Sequence, residues 1–232
     1  MLKQNLWSLT LQVKLVGITR PVIDGVDTAE DLVAYAARVS NPANQNNNLT
    51  SGKLLKYLIN NEHWSPLEMV HVVMEINTTR DIARQILRHR SFSFQEFSQR
   101  YADARSMSFT KREARLQDLK NRQNSIETSD EEVSSVWDAY QTRVQHEAIR
   151  AYDWAIRNGL AKEQARVVLP EGMTNSRLYM AGTLRSWLHY CLLRKANGTQ
   201  KEHRSIAMDA LEILVVQFPS ITEIVNEKES TT

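Results

Sequence analysis

One run, Arg88-His89-Arg90-Ser91-Phe92-Ser93-Phe94-Gln95-Glu96-Phe97-Ser98-Gln99-Arg100, constrains the fold more than any other stretch of the chain. An Arg-His-Arg triplet is unfavourable to pack, because like charges repel and every guanidinium carries five donors in need of acceptors. The fold must therefore present the triplet where an anion can hold it together, and a phosphate takes bidentate arginine contacts well. Seven residues further on, Ser98 and Arg100 add a hydroxyl and another guanidinium, enough to complete a phosphate cradle. The alternative reading of the triplet by itself is a solvated basic helix end.

Charge is distributed in keeping with that constraint. Nineteen of the 29 Lys and Arg residues are arginine, and eight of those fall between Arg80 and Arg115. Arginine in place of lysine favours planar, directional recognition of phosphate or carboxylate. The net charge of only +2 argues against bulk, non-specific binding of nucleic acid. At 232 residues, 42% of them apolar, the chain can bury a substantial core. No stretch approaches the ~20 apolar residues of a membrane span, and the start of the chain has no secretory-signal pattern. The lone cysteine, Cys191, excludes an intrachain disulfide framework and a multi-cysteine metal site. A cytoplasmic protein without a membrane partner is the expectation.

Periodicity predicts the elements. Alternating Leu9, Leu11, Val13 and Leu15 predict a strand over 9–19. Thr28-Ala29-Glu30-Asp31 opens a helix that ends near Ser40-Asn41-Pro42, and 44–51 reads as a mobile polar loop. A helix over 52–60 turns Leu54, Leu55, Leu58 and Ile59 inward, and His71–Ile76 is β-branched enough for a strand. Helical spacing returns from Thr79 to about Arg90, followed by an extended 91–95. Residues 103–130 read as a long loop or short helices folding over a site. A capping box at Ser129–Glu132 starts a strong helix whose stripe is Val133, Val136, Trp137, Tyr140, Val144, Ala148 and Ala151, stopping at Asn158-Gly159. A short helix leads to Leu169-Pro170, a longer one is predicted over Arg177–Lys195, and Thr199–Glu202 caps the last. The expected fold is α+β: one domain over 1–232, with a central, mainly antiparallel sheet flanked by long helices.

Arg-His-Arg, seven residues and a serine, with Glu96, Arg100 and Tyr101 around them, resembles the signature of the flavin-dependent thymidylate synthases. Ala37-Arg38-Val39-Ser40, His63-Trp64-Ser65-Pro66-Leu67-Glu68, Ala165–Pro170 and Leu184–Arg194 fit the same family in the same order, covering about residues 28 to 215. Many relatives carry His where this chain has Met69 and Asn where it has Thr183, and some carry His where it has Gly198.

The resemblance implies reductive methylation of dUMP to dTMP, with methylenetetrahydrofolate as carbon donor, FAD as hydride carrier and NADPH as reductant. It assigns Gln85, Arg88, Glu96, Ser98, Arg100, Arg166 and Arg194 to dUMP. To FAD it assigns Ser65, Arg88, His89, Arg90, Glu96, Thr183, Arg185 and His189, and it places His63 near flavin and folate. Arg194 is the catalytic candidate: making uracil C5 nucleophilic needs a permanent cation beside the ring, and arginine cannot lose its proton. The resemblance also implies a homotetramer with shared sites.

Structural alternatives stand beside these roles. Cys191, in an apolar run, reads as a buried small hydrophobe. Arg166 and Arg185 could be ordinary salt-bridge partners, and His146 and His203 read as surface or capping residues. Glu68-x-x-His71 has the spacing of half a di-iron site, but no second copy exists, and no metal is expected. The absence of Gly-x-Gly-x-x-Gly rules out FAD held in Rossmann fashion. Two rival functions use the same arginines: a nucleic-acid-binding module in which Phe92, Phe94, Phe97 and Tyr101 stack bases, or an arginine-rich oligomer interface.

Overall fold

The strand His71–Thr79, β2, buries Val72, Met74 and Ile76 completely on one face. The strand Asn175–Thr183, β6, pairs with it antiparallel and sets Met180 opposite Met74 and Leu178 opposite Ile76. These cross-strand pairs form the floor of the core. The computed structural model describes residues 12–103 and 108–222. Val13–Ile18 (β1) and Ser93–Glu96 (β3) complete an antiparallel sheet of order β1-β2-β6-β3. Leu9 and Leu11 of the predicted first strand lie outside the described residues.

Helices cover the apolar face. Ala29–Ala37 (α1) and Ser51–Asn60 (α2) contribute Val33, Leu55 and Leu58 to the core. Leu184–Arg194 (α6) contributes Trp187, Leu188 and Cys191, and Lys201–Gln217 (α7) contributes Ile206, Ala210 and Leu214. The Trp187 indole donates to the Val72 carbonyl at 3.0 Å, tying α6 to the middle of the sheet. Thr28 and Asp31 form the reciprocal capping box expected at the start of α1. The α+β class and the antiparallel sheet are as the sequence predicted. Among the described residues no helix is long and apolar enough to cross a membrane.

Several elements differ from expectation. The helix predicted over Arg177–Lys195 is β6 followed by α6. Burial from Ser176 through Leu178, Met180 and Gly182 alternates with period two, and helical spacing begins only at Leu184. The helix expected to reach Arg90 is Arg80–Ile86 (α3), because Phe92 must turn back into the core and the cations cannot continue a buried face. Arg115–Gln117 (β4) and Ser125–Glu127 (β5) make a hairpin inside the stretch read as loop or short helices, of which 104–107 lie outside the described residues.

The polar stretch before α2 contains two 3-10 turns, Pro42–Asn44 and Asn48–Thr50, and a buried side chain holds it. Arg38 donates to the Asn47 carbonyl at 2.6 Å and to Thr50 Oγ1 at 2.8 Å. Glu131–Arg157 (α4) is capped by Asp130 and not by Ser129, since the Asp130 carboxylate accepts from Val133 N–H. Gln200 precedes α7 without a side-chain cap. The predicted stripe of α4 is also split. Ala148 packs inward, but Val133, Val136, Trp137, Tyr140 and Val144 are 41–56% exposed in the single chain.

Candidate active site

The Arg-His-Arg triplet lies in the turn that joins α3 to β3. His89 N–H donates to the Ile86 carbonyl at 3.0 Å, closing the end of α3. Phe92 then plugs into the core, its ring 5.0 Å from that of Trp187. With Phe92 anchored, Arg88 and Arg90 point to solvent while His89 is half-buried between them. His89 Nε2 accepts a hydrogen bond from Arg194 Nε at 2.9 Å. Burial first, and the Arg194 cation second, push the His89 pKa down to about 4. The imidazole is thus neutral at pH 7, with its proton on Nδ1 and its lone pair toward Arg194.

Behind this pair sit Tyr190, which is 2% exposed, and His203, which is fully buried. His203 Nε2 is 3.1 Å from the Tyr190 hydroxyl, and His203 Nδ1 is 3.3 Å from Gln85 Oε1. Gln85 Nε2 donates to Gln200 Oε1 at 2.8 Å. The expectation of a surface or capping His203 is therefore wrong. Its spacing to Ile206, Ala207 and Ala210 was the available signal, since those residues define the buried face of α7. The fold thus gathers Gln85, Arg88, His89 and Arg194, and adds Tyr190, His203 and Gln200.

A second group forms where β3 ends. The Glu96 carboxylate accepts from Ser176 Oγ at 2.8 Å and lies 3.5 Å from the Arg80 guanidinium, so it is held from below. The Ser98 carbonyl accepts from the N–H groups of Tyr101 and Ala102, and Ser98 Oγ accepts from Arg100 N–H at 3.4 Å. The short helix Lys162–Ala165 (α5) packs beside this turn: the Lys162 ammonium donates to the Tyr101 carbonyl at 2.9 Å. Arg100 lies 3.7 Å from Glu163, with both side chains more than half exposed. Such a pair contributes little and yields readily to a better anion. Arg166, three and four residues beyond Glu163 and Lys162, follows on the same helical turn.

The third group surrounds the start of α6. Thr183 Oγ1 caps that helix by accepting from Ser186 N–H at 3.1 Å. Arg185 pairs with Glu68, which follows Ser65 in the 3-10 turn Ser65–Met69. The His189 ring is 4.4 Å from that of Trp64, and exposed His63 lies 5.9 Å from Tyr57. Helix α6 therefore carries Arg185 at one end and Arg194 at the other, separated by about 15 Å of helical rise at most.

This donor set suits a long anionic ligand. Arg88, Arg90 and Arg166 make no side-chain hydrogen bond or ion pair among the described residues. Their guanidinium groups are free for phosphate, while Arg185 and Arg194 mark two ends of an extended surface. A cavity of about 820 Å³ lies between the β4–β5 hairpin, α4 and the start of α7. Arg115, Trp137, Gln200 and Arg204 are among its walls. None of the sequence-assigned residues lines this cavity, and Gln85 alone among them is shown bonded to one of its walls, through Gln200. Among the described residues no cluster of three or more His, Cys, Asp or Glu could hold a metal ion.

The aromatic residues do not form a base-stacking platform. Phe92 is buried, Phe94 packs against the core and Phe97 is partly covered, leaving Tyr101 as the exposed member of the four. Cys191 is fully buried and its thiol pKa is pushed far up by burial, which fits packing and not nucleophilic attack.

Comparison with known proteins identifies the family. The family described as thymidylate synthase complementing protein matches residues 21–220. The chain is 48% identical over 213 residues to the probable flavin-dependent thymidylate synthase of Paramecium bursaria Chlorella virus 1, covering 92% of this chain and 98% of that one. It is also 48% identical over 214 residues to the flavin-dependent thymidylate synthase of Synechocystis sp., covering 91% and 97%. Among solved structures, the UMP/dUMP methylase PolB from Streptomyces cacaoi bound with 5-Br UMP superposes with a TM-score of 0.77 at 24% identity, covering 93% of each chain. That likeness shows the fold. With its Arg-His-Arg turn, its antiparallel sheet and these relatives, the chain belongs to the flavin-dependent thymidylate synthase family.

Proposed function

We propose that the protein methylates dUMP to dTMP, taking the carbon from methylenetetrahydrofolate and using FAD that NADPH reduces. The observation that carries this reading is the hydrogen bond from Arg194 to the neutral His89. It sets a permanent cation at the Arg-His-Arg turn without pairing it to a carboxylate. Such a cation can stabilise negative charge drawn into a pyrimidine ring, the condition under which C5 attacks a carbon electrophile. Ser98, Arg100 and Arg166 are the phosphate end of the site, and Gln85 and Arg194 the pyrimidine end. Glu96, oriented by Ser176 and Arg80, is a further contact to the nucleotide.

The chemistry supplied by bound FAD is hydride transfer, which amino-acid side chains lack. Arg88 and Arg90 would hold its pyrophosphate, with Ser65, Thr183, Arg185 and His189 along α6 and the neighbouring turn, and His63 at the flavin and folate end. Before the ligand binds, Arg185 is paired with Glu68 and must exchange that partner for phosphate. The exposed apolar side chains of α4 support assembly into a homotetramer that covers them and shares its sites, since a face of that composition normally marks an interface.

Purified protein should show the absorbance bands of oxidised flavin, bleach with NADPH, and form dTMP from dUMP and methylenetetrahydrofolate. A colourless protein that takes up no flavin on titration would rule the proposal out. Light scattering should give a mass four times that of one chain.

A further inference from the structure

We propose that His203 is a positioning residue that fixes the amide of Gln85, and thereby makes the site read uracil in preference to cytosine. The inference rests on the assignment of Gln85 to the pyrimidine in the reading above.

The Tyr190 side chain is buried, and His203 Nε2 lies 3.1 Å from its hydroxyl. A buried phenol left without an acceptor is strongly unfavourable, so Tyr190 donates to Nε2. A neutral imidazole that accepts at Nε2 carries its hydrogen on Nδ1. Burial, then Arg194, then His89 hold His203 neutral, with its pKa pushed down to about 4. Nδ1–H therefore donates to the group 3.3 Å away, which is Gln85 Oε1. That choice turns the Gln85 amino group toward Gln200 Oε1, where it donates at 2.8 Å. The opposite tautomer would require the Gln85 amide to flip, which sets its Oε1 against Gln200 Oε1, two acceptors with no hydrogen between them.

The consequence is a fixed polarity at the ligand. With Oε1 engaged by His203 and one N–H by Gln200, the remaining N–H of Gln85 is available to donate to a ring carbonyl. The proposal sets Gln85 at the C4 edge of the ring, where uracil carries an acceptor at O4, whereas cytosine places an amino donor there and meets this N–H with a like group. The discrimination is thus set one residue behind the contact, by a side chain that does not touch the nucleotide.

Three measurements test it. In the flavin-loaded wild type with histidine labelled at nitrogen, the resonances of His203 should report Nδ1 protonated and Nε2 bare; a Nε2–H tautomer overturns the proposal without any reference to activity. Next, His203→Phe should raise KM for dUMP roughly tenfold, the loss expected when a positioned hydrogen bond is removed, with a smaller fall in kcat. It should also narrow the preference for dUMP over dCMP in competitive binding. Finally, the double variant His203→Asn with Tyr190→Phe keeps a donor near the old Nδ1 position and leaves no orphaned hydroxyl. It should recover most of the dUMP affinity and the discrimination against dCMP. If His203→Phe fails to fold, the double variant and the tautomer decide. Unchanged dUMP affinity and unchanged selectivity in a folded, flavin-binding His203 variant would overturn the proposal. A wild-type protein that binds dUMP but forms no dTMP would instead count against the catalytic reading and leave the His203 result standing.

Discussion

The ring of Phe92 occupies the space in which a side chain on Gly182 would stand: an added Cβ would lie 2.4 Å from Phe92 Cδ1. This contact lets the turn carrying the three cations lie flat against β6. Gly182→Ala should therefore displace Phe92 and cost about 1–3 kcal/mol in stability, the usual penalty for overpacking. Flavin affinity should fall with it, because Arg88 and Arg90 precede the displaced ring in the same turn. Thermal melting and flavin titration check this, and a variant with wild-type values in both would show that the turn does not depend on Phe92.

Arg194→Ala and Ser98→Ala should fail differently. Removing a preorganised cation from the pyrimidine end should lower kcat on the order of 10²–10³-fold. Removing the Ser98 hydroxyl should chiefly raise the dUMP concentration needed, leaving measurable turnover. Flavin bleaching by NADPH should survive in both. If Ser98→Ala abolished turnover at saturating dUMP and Arg194→Ala ran normally, the two roles would have to be exchanged.

Cys191→Ala should retain most activity. The thiol is fully buried and held protonated, so it cannot serve as the attacking group. Truncation should cost about 0.5–3 kcal/mol of stability, in the range of ordinary point mutants. Loss of all dTMP formation with fold and flavin retained would demonstrate a thiol mechanism.

Acid should destabilise the protein through His89 and His203. The pKa values of His89 and His203 are pushed from 6.5 to about 4 on folding, so the unfolded chain binds more protons between those values. The stability linked to them is fully present above pH 6.5 and is lost as pH falls toward 4. The groups facing them that oppose protonation are Arg194 and, for His203, His89. Melting temperature measured across pH 7 to 4 should fall, and the double variant of His203 and Tyr190 should fall less steeply. Parallel curves for the two proteins would remove His203 as a source of the effect.

Much of the chain was legible before folding. Spacing revealed the cap at Thr28, the inward face of α2, the long α4 and the strand at His71–Ile76, because each depends on residues close in sequence. The Arg-His-Arg run and Ser98 identified the family, and Cys191 read correctly as packing. The boundary inside Arg177–Lys195 was not legible in that way. Leu178, Met180 and Leu184 are apolar on either period, and what makes the first half a strand is its pairing with β2 and β3 on both sides. Partners distant in sequence likewise decided His203, whose role depends on Tyr190 and on Gln85, 118 residues away. Sequence determined which chemistry-bearing groups the chain possesses. The tertiary structure alone decided which of them lose water and face one another, and hence that His89 and His203 stay neutral while Arg194 stays charged beside them.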